Sequence, residues 1–314
     1  MSRILVTGAA GFIGSHTVRE AARRGHEVVA VDNFNSYYDP EKKASNASWV
    51  LNESGVRVIH LDLVDDPISP LIDGVSSVIH LAGQPGVRSS WKDFDSYSRD
   101  NLIATNRLLE ACISVGVPRI IYASSSSVYG NAMRFPVVEG DPTLPFSPYG
   151  VSKLAAEHLV RAYSQNFGIQ SFCLRYFTVY GPRQRPDMAF HRLIKACLED
   201  TEFVLFGDGS QIRDFTYIDD VVAANILGAE TRLVGDYVFN VSGGSSTTMA
   251  EVIQLVQEVC GKRLRLRSER HAAGDVFRTG GSASAIAESL GWNPEVSLAR
   301  GLEKQASSLR TGAG

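Results

Sequence analysis

The sequence predicts a doubly wound α/β fold, a parallel sheet with helices on both faces, followed by a smaller mixed α/β lobe. Three observations carry this. Short β-branched runs alternate with helix-length segments over the first 175 residues, a glycine-rich turn follows the first run directly, and after about Gly181 the rhythm gives way to Gly/Pro-rich loops and shorter strands. At 314 residues the chain is longer than one hydrophobic core usually serves, so two lobes enclosing a cleft are expected.

Taken in order, strands are expected at Ile4-Leu5-Val6 and at residues 28–31, 56–60, 78–81, 120–123 and 172–174. Helices between them are expected over 12–24, 101–115 and 149–167, with right-handed crossovers distributing them over both sheet faces. Three further helical patterns lie near 219–229, 249–260 and 298–309. These elements divide into a dinucleotide-binding domain over 1–175, rejoined by a segment near 213–240, and a substrate-binding domain over 176–314.

Composition narrows the class of partner. Hydrophobic residues make up 44% and charged residues 21%, and 31 Lys plus Arg against 34 Asp plus Glu leave a net charge of −3 with no basic stripe. No nucleic-acid partner is expected, and any anion site must be local. Met1-Ser2-Arg3 leads straight into the first strand without the apolar core of a secretion signal, and no later run is long enough to span a bilayer. A cytoplasmic location and no membrane partner are the expectation. Cys112, Cys173, Cys197 and Cys260 show no metal-finger or CxxC spacing, and the seven histidines form no ligand set, so buried thiols and no metal are expected.

The first strand runs into Gly8-Ala9-Ala10-Gly11-Phe12-Ile13-Gly14 and then a helix. Glycines there permit a tight turn, and the backbone amides at Phe12 and Ile13 stand at a helix N-terminus whose partial positive charge suits a pyrophosphate. This is the Rossmann-like signature of dinucleotide binding, in a GxxGxxG spacing. The second strand ends in Asp32, where a carboxylate accepts from a ribose diol and repels a 2′-phosphate, so NAD is expected rather than NADP. Asn33 and Asn35 follow it, Asp62 and Leu63 at the third strand flank the adenine, and Leu81, Ala82 and Gly83 pass beneath the cofactor with small side chains. Tyr176 and Val179, around the end of the sixth strand, complete the expected cofactor set.

The fifth strand ends in a serine run, Ser124 to Ser127, and a helix then begins near Tyr149-Gly150-Val151-Ser152-Lys153. Tyr149 and Lys153 are four apart and share a helical face, which lets the ammonium sit beside the phenol. A phenol titrating near pH 10 is a poor base at neutral pH, but a lysine and a nicotinamide cation favour its ionised form. Tyr149 is thus the expected base for an alcohol losing hydride, Lys153 its support, and Ser125 a hydroxyl relay to the same oxygen.

Together the Gly8 to Gly14 turn, Asp32, Ser125 and the Tyr149/Lys153 pair resemble the extended short-chain dehydrogenase/reductase superfamily, and within it the nucleotide-sugar epimerases and dehydratases. The segments Asp32 to Asp39, Pro85-Gly86-Val87-Arg88, Ser124 to Gly130 and Phe177 to Met188 are most similar to those of bacterial UDP-glucuronate 4-epimerases. The resemblance covers the whole chain. It implies tightly held NAD, a UDP-sugar substrate, a smaller substrate lobe and a homodimer. Related 4,6-dehydratases carry an Asp-Glu pair at the positions of Ser126 and Ser127, and related decarboxylases a Glu at Ser127, so a second acid/base is missing for either reaction. Epimerases of neutral UDP-hexoses usually carry Asn at the position of Thr178, which favours the uronic acid. The rivals are a 4-epimerase for UDP-glucose or UDP-N-acetylglucosamine, a UDP-glucuronate decarboxylase, and an NAD-sensing binding protein, which would lack the Tyr/Lys pair.

The same resemblance implies the substrate set. Ser125, Ser126, Tyr149 and Thr178 face the sugar, and Arg185 in the loop after Gly181 can fork onto a carboxylate. Arg213 suits the diphosphate, and Arg88 the diphosphate or the sugar. Phe206 can stack on uracil. Gln211 and Asp275 lie in the segments that meet the nucleotide, and Thr279-Gly280-Gly281 departs from the family's usual Thr-x-Ala-Asp.

Overall fold

The computed structural model describes residues 1–269, 274 and 276–312. Its centre is a seven-stranded parallel sheet. Strands β1 (Arg3–Thr7), β2 (Glu27–Asp32), β3 (Val58–His60), β4 (Ser77–His80), β5 (Arg119–Ser125) and β6 (Gln170–Tyr176) arise where the sequence predicts them. Helices α1 (Phe12–Arg23) and α2 (Pro40–Ser54) lie between the early strands, and short α3 (Phe94–Tyr97) leads through a π-helical stretch, Ser98–Ile103, into α4 (Ala104–Val115). The π-helical stretch replaces the first turn of the helix expected from 101. After β5 comes α5 (Pro148–Phe167), entered through Ser147, whose side chain accepts from the Gly150 amide, and Pro148, whose fixed φ suits the first turn.

Beyond β6 the chain leaves the sheet. Strand β7 (Thr178–Tyr180) is followed by α6 (Ala189–Glu199), β8 (Glu202–Phe206), β9 (Ile212–Tyr217) and α7 (Ile218–Glu230). Then come β10 (Asp236–Val241), β11 (Ser246–Thr248), α8 (Met249–Cys260), β12 (Arg265–Glu269), α9 (Ser284–Leu290) and α10 (Leu298–Arg310). β10 pairs with β6 and α7 packs on α1, while β9 pairs with β7 and β11 in a separate three-stranded sheet. Of the segment 213–240, the helix and the final strand therefore lie on the main sheet and the first strand does not.

The strand order is β10-β6-β5-β4-β1-β2-β3, so the winding reverses between β1 and β4. Crossovers leave in opposite directions there, which opens a crevice at the carboxyl ends of those strands. One apolar cluster runs from Ile4 and Phe172 on the sheet through Tyr180 and Phe215 to Trp292 and Leu302, joining the lobes. A second, around Leu108, Ile120 and Val160, fills the other face. Helices α2, α3, α6 and α9 were not expected from the sequence. In α2 the reason is visible in its residues: Pro40-Glu41-Lys42-Lys43-Ala44-Ser45-Asn46 has little apolar periodicity, yet it buries Lys43 and Asn46 in polar contacts. Cys112, Cys173 and Cys197 are buried and all four cysteines are free. No described helix is long and apolar enough to cross a membrane.

Candidate active site

The crevice holds a cavity of about 370 Å³ lined by the ends of β1, β2, β4 and β5, the start of α5 and the segment from Tyr176 to Met188. Its floor at one end is the glycine turn. Gly8 has φ +68, and a Cβ there would meet the Ala82 nitrogen at 2.8 Å; a Cβ on Gly14 would lie 2.0 Å from the Gly8 carbonyl oxygen. These are the close backbone approaches that only glycine allows. Gly11 is the N-cap of α1 and supplies no side-chain cap, so the amides at the helix start have no side-chain partner from their own cap and face the cavity.

Asp32 is buried at the end of β2. One carboxylate oxygen accepts from the Ala10 amide at 3.1 Å, the other from the Phe34 amide at 2.8 Å, with the Lys43 ammonium at 3.5 Å. It both ties the turn after β2 and lines the cavity. Lys43 also donates to Asn35 at 2.8 Å, and Asn33 donates to Asp62, which Arg99 grips through two nitrogens. Asn33, Asn35, Asp62, Leu63, Leu81, Ala82, Gly83, Tyr176 and Val179 all line the same cavity as Gly8, Gly11, Phe12, Ile13 and Gly14. The turn, the open helix start and the acidic end of β2 fit a dinucleotide.

At the other end stand Ser125, Ser126, Tyr149, Lys153, Thr178 and Arg185. Burial holds the Tyr149 phenol above its ordinary value, while a hydrogen bond from Ser125 and the charge of Arg185 pull it back. Ser125 is oriented by accepting from the Ser127 amide at 3.1 Å. The Lys153 ammonium lies 4.6 Å from the ring centre of Tyr122 and lines the same cavity as Tyr149, and the charge of Arg185 acts on the phenol as well. Burial lowers Lys153 to about 8, opposed by the Glu157 carboxylate one turn on. Arg185 forms a two-pronged pair with Asp187, both contacts at 3.0 Å, and its guanidinium stands 5.8 Å from the Tyr37 ring.

Several lining residues were missed. Tyr37 and Tyr38 fall in a run noted only for its resemblance, and Lys43 gave no signal because its burial depends on α2 folding back onto Asp32. Asn101 was also missed. Its side chain joins both backbone atoms of Gln84 (2.7 and 3.0 Å) to Ser152 (2.9 Å), tying the loop after β4 to α5.

The expected nucleotide residues gather beside this cavity rather than in its lining. The Arg88 guanidinium lies 4.0 Å from the centre of the Phe206 ring, covering a face expected for uracil. Gln211 is buried and its amide donates to the Phe206 carbonyl at 2.6 Å, so it braces the β8–β9 turn. Arg213 donates to the carbonyls of Ile212 and Phe277. Asp275 lies outside the described residues.

A parallel sheet reversing at a glycine turn, with a serine at a strand end and a tyrosine and lysine on the helix beside it, defines an enzyme of the NAD-dependent Rossmann-like class. The chain belongs to the NAD dependent epimerase/dehydratase family, whose model matches residues 4–242. Its relatives include the protein called uncharacterized UDP-glucose epimerase YtcB of Bacillus subtilis (strain 168), 41% identical over 311 residues and 98% of both chains. The UDP-glucuronate 4-epimerase of Thermodesulfobacterium geofontis (strain OPF15) is 35% identical over 97% of this chain and 95% of its own. Among solved structures, the UDP-glucuronic acid 4-epimerase from Bacillus cereus, in complex with UDP-glucuronic acid and NAD, superposes with a TM-score of 0.94. It is 41% identical over 98% of this chain and 99% of that one.

Proposed function

We propose that this protein is an NAD-dependent 4-epimerase that interconverts UDP-glucuronate and UDP-galacturonate. The observation that carries the reading is a phenol and a guanidinium brought to one cavity: Tyr149 at the start of α5 and Arg185 in the turn after β7 both line it, 36 residues apart in sequence. NAD, held by the Gly8 to Gly14 turn and Asp32, would supply a hydride acceptor for carbon 4 of the sugar and, once reduced, a donor to its other face. The chain's own residues do the rest. Tyr149 takes the proton of the 4-hydroxyl, Ser125 donates to the phenolate as it forms, and the buried walls keep water from the keto sugar.

Oxidation at carbon 4 leaves a ketone β to the carbon-6 carboxylate. Loss of carbon dioxide would break the bond between carbons 5 and 6, leave its electron pair as an enolate across carbons 4 and 5, and take a solvent proton at carbon 5. Arg185 opposes this by holding the carboxylate as a localised anion, since decarboxylation requires that charge to disperse. Its pair with Asp187 uses Nε and one terminal nitrogen, which leaves the other terminal nitrogen to donate to the sugar. Ser126 and Ser127, neither of them an acid, support epimerisation over dehydration.

The test is product analysis by NMR with UDP-glucuronate, UDP-glucose and UDP-N-acetylglucosamine, for the wild type and Arg185→Ala. The wild type should epimerise the uronic acid without added reduced cofactor, and Arg185→Ala should lose that activity by about 10²-fold, as expected for a buried charge-assisted pair. Preference of the wild type for a neutral hexose would refute the assignment.

A further inference from the structure

Arg185 sits at the end of a turn that residues far away in sequence hold in place. Gln305, 1% exposed on α10, accepts from the Gly181 amide at 3.1 Å and donates to the Gln184 side-chain oxygen at 2.8 Å. Gln184, 4% exposed, donates to the Val179 carbonyl at 3.0 Å and accepts from the His191 amide at 3.0 Å. The two amides thus tie together the end of β7, both ends of the turn, the start of α6 and the last helix of the chain. Between them the turn is held from the other side: the Pro182 carbonyl meets the His16 ring nitrogen at 3.1 Å, and Arg183 donates to Asn46 at 3.0 Å. Arg183 has φ +64, a backbone that side chains rarely adopt, and such a residue persists where its surroundings over-determine it.

Buried amides are costly unless every strong donor and acceptor is matched, and an apolar pair of the same volume would fill this space. These four bonds all meet the turn, the strand before it or the helix after it. We propose that the Gln184–Gln305 pair is the positioning device for Arg185, so that the C-terminal helix sets discrimination between an acidic and a neutral sugar. This rests on the reading of Arg185 as the carboxylate's partner. With the pair intact the turn has one geometry and the guanidinium meets the carboxylate; with the pair broken the Gly181 amide and the Gln184 oxygen seek other partners and the turn shifts. Gln305 itself is buried on α10 and does not line the cavity.

The experiment uses the full NAD-loaded chain and titrates UDP-glucuronate, UDP-glucose and UDP by calorimetry into wild type, Gln305→Leu, Gln305→Glu and Arg185→Ala. Gln305→Glu keeps the acceptor for Gly181 at unchanged size but not the donor for Gln184, and it carries the test should the leucine variant not fold. The expected result is about tenfold weaker binding of UDP-glucuronate for both Gln305 variants, the scale of one charge-assisted hydrogen bond, with UDP-glucose and UDP nearly unchanged. Carbon dioxide and 4-keto-pentose released per epimer formed should rise, matched one for one by nicotinamide left reduced. A uniform weakening for all three ligands, or no change in the Gln305 variants while Arg185→Ala selectively loses the acid, overturns the proposal. If Arg185→Ala itself shows no selective loss, the reading of Arg185 fails and this inference falls with it.

Discussion

Replacing Gly14 with alanine tests the cofactor end of the site in a way the backbone geometry makes quantitative. The new Cβ would stand 2.0 Å from the Gly8 carbonyl oxygen and 2.7 Å from its carbon, both backbone atoms that cannot rotate aside. Reaching an ordinary contact of 3.4 Å requires α1 to recede from the turn by about 1.4 Å at that point. The Gly8 oxygen also accepts from the Gly11 amide at 3.0 Å, so the displacement is transmitted to the N-terminus that faces the cavity. Overpacking of this kind costs about 1–3 kcal/mol of stability. Loosening one or two charge-assisted bonds from helix amides to a pyrophosphate should weaken NAD by about 10–100-fold. The purified variant is assayed by denaturing it and quantifying released nucleotide, with circular dichroism to show that it is folded. Gly11→Ala, whose Cβ would stand 3.0 Å from the same oxygen, should lose less. A folded Gly14→Ala that retains NAD stoichiometrically, or a larger loss for Gly11→Ala, would refute this account of the turn.

Three other outcomes are expected. Tyr149→Phe removes the proton acceptor while leaving the cavity's shape, so turnover should fall by orders of magnitude in a protein that still carries NAD; near-wild-type turnover would sink the mechanism. Because burial lowers Lys153 to about 8, kcat/KM should decline as the pH rises through that value, and Lys153→Arg should push the decline to higher pH; an identical profile for both would remove Lys153 from the pH dependence. Burial lowers both His16 and His80 from 6.5 to about 3, so the unfolded chain binds protons that the folded one refuses. Their stabilising effect is complete above pH 6.5 and lost as the pH falls toward 3, with a slope of about 1.4 kcal/mol per pH unit for each. Urea midpoints stepped down from pH 6.5 check this, and His16→Gln should reduce the slope.

The sequence by itself determined the parts whose physics is local. A glycine turn between a strand and a helix, an acidic residue at the next strand's end, and a tyrosine four residues before a lysine on one helix need only backbone geometry and periodicity to be read. The alternation of β-branched and amphipathic segments likewise announced the parallel sheet, because each strand is covered on both faces. What only the tertiary structure decided are contacts whose partners lie far apart in sequence. Lys43 reaches Asp32 only because a polar helix folds back on β2, and Lys153 lies over the Tyr122 ring because β5 runs beneath α5. Arg185 lines one cavity with Tyr149 because β7 peels away from the sheet, and its turn is held by Gln305, 121 residues beyond Gln184. Periodicity says which face of an element is buried, but not which distant side chain will meet it. That depends on the packing of the two lobes, where burial and complementary hydrogen bonding choose the partner.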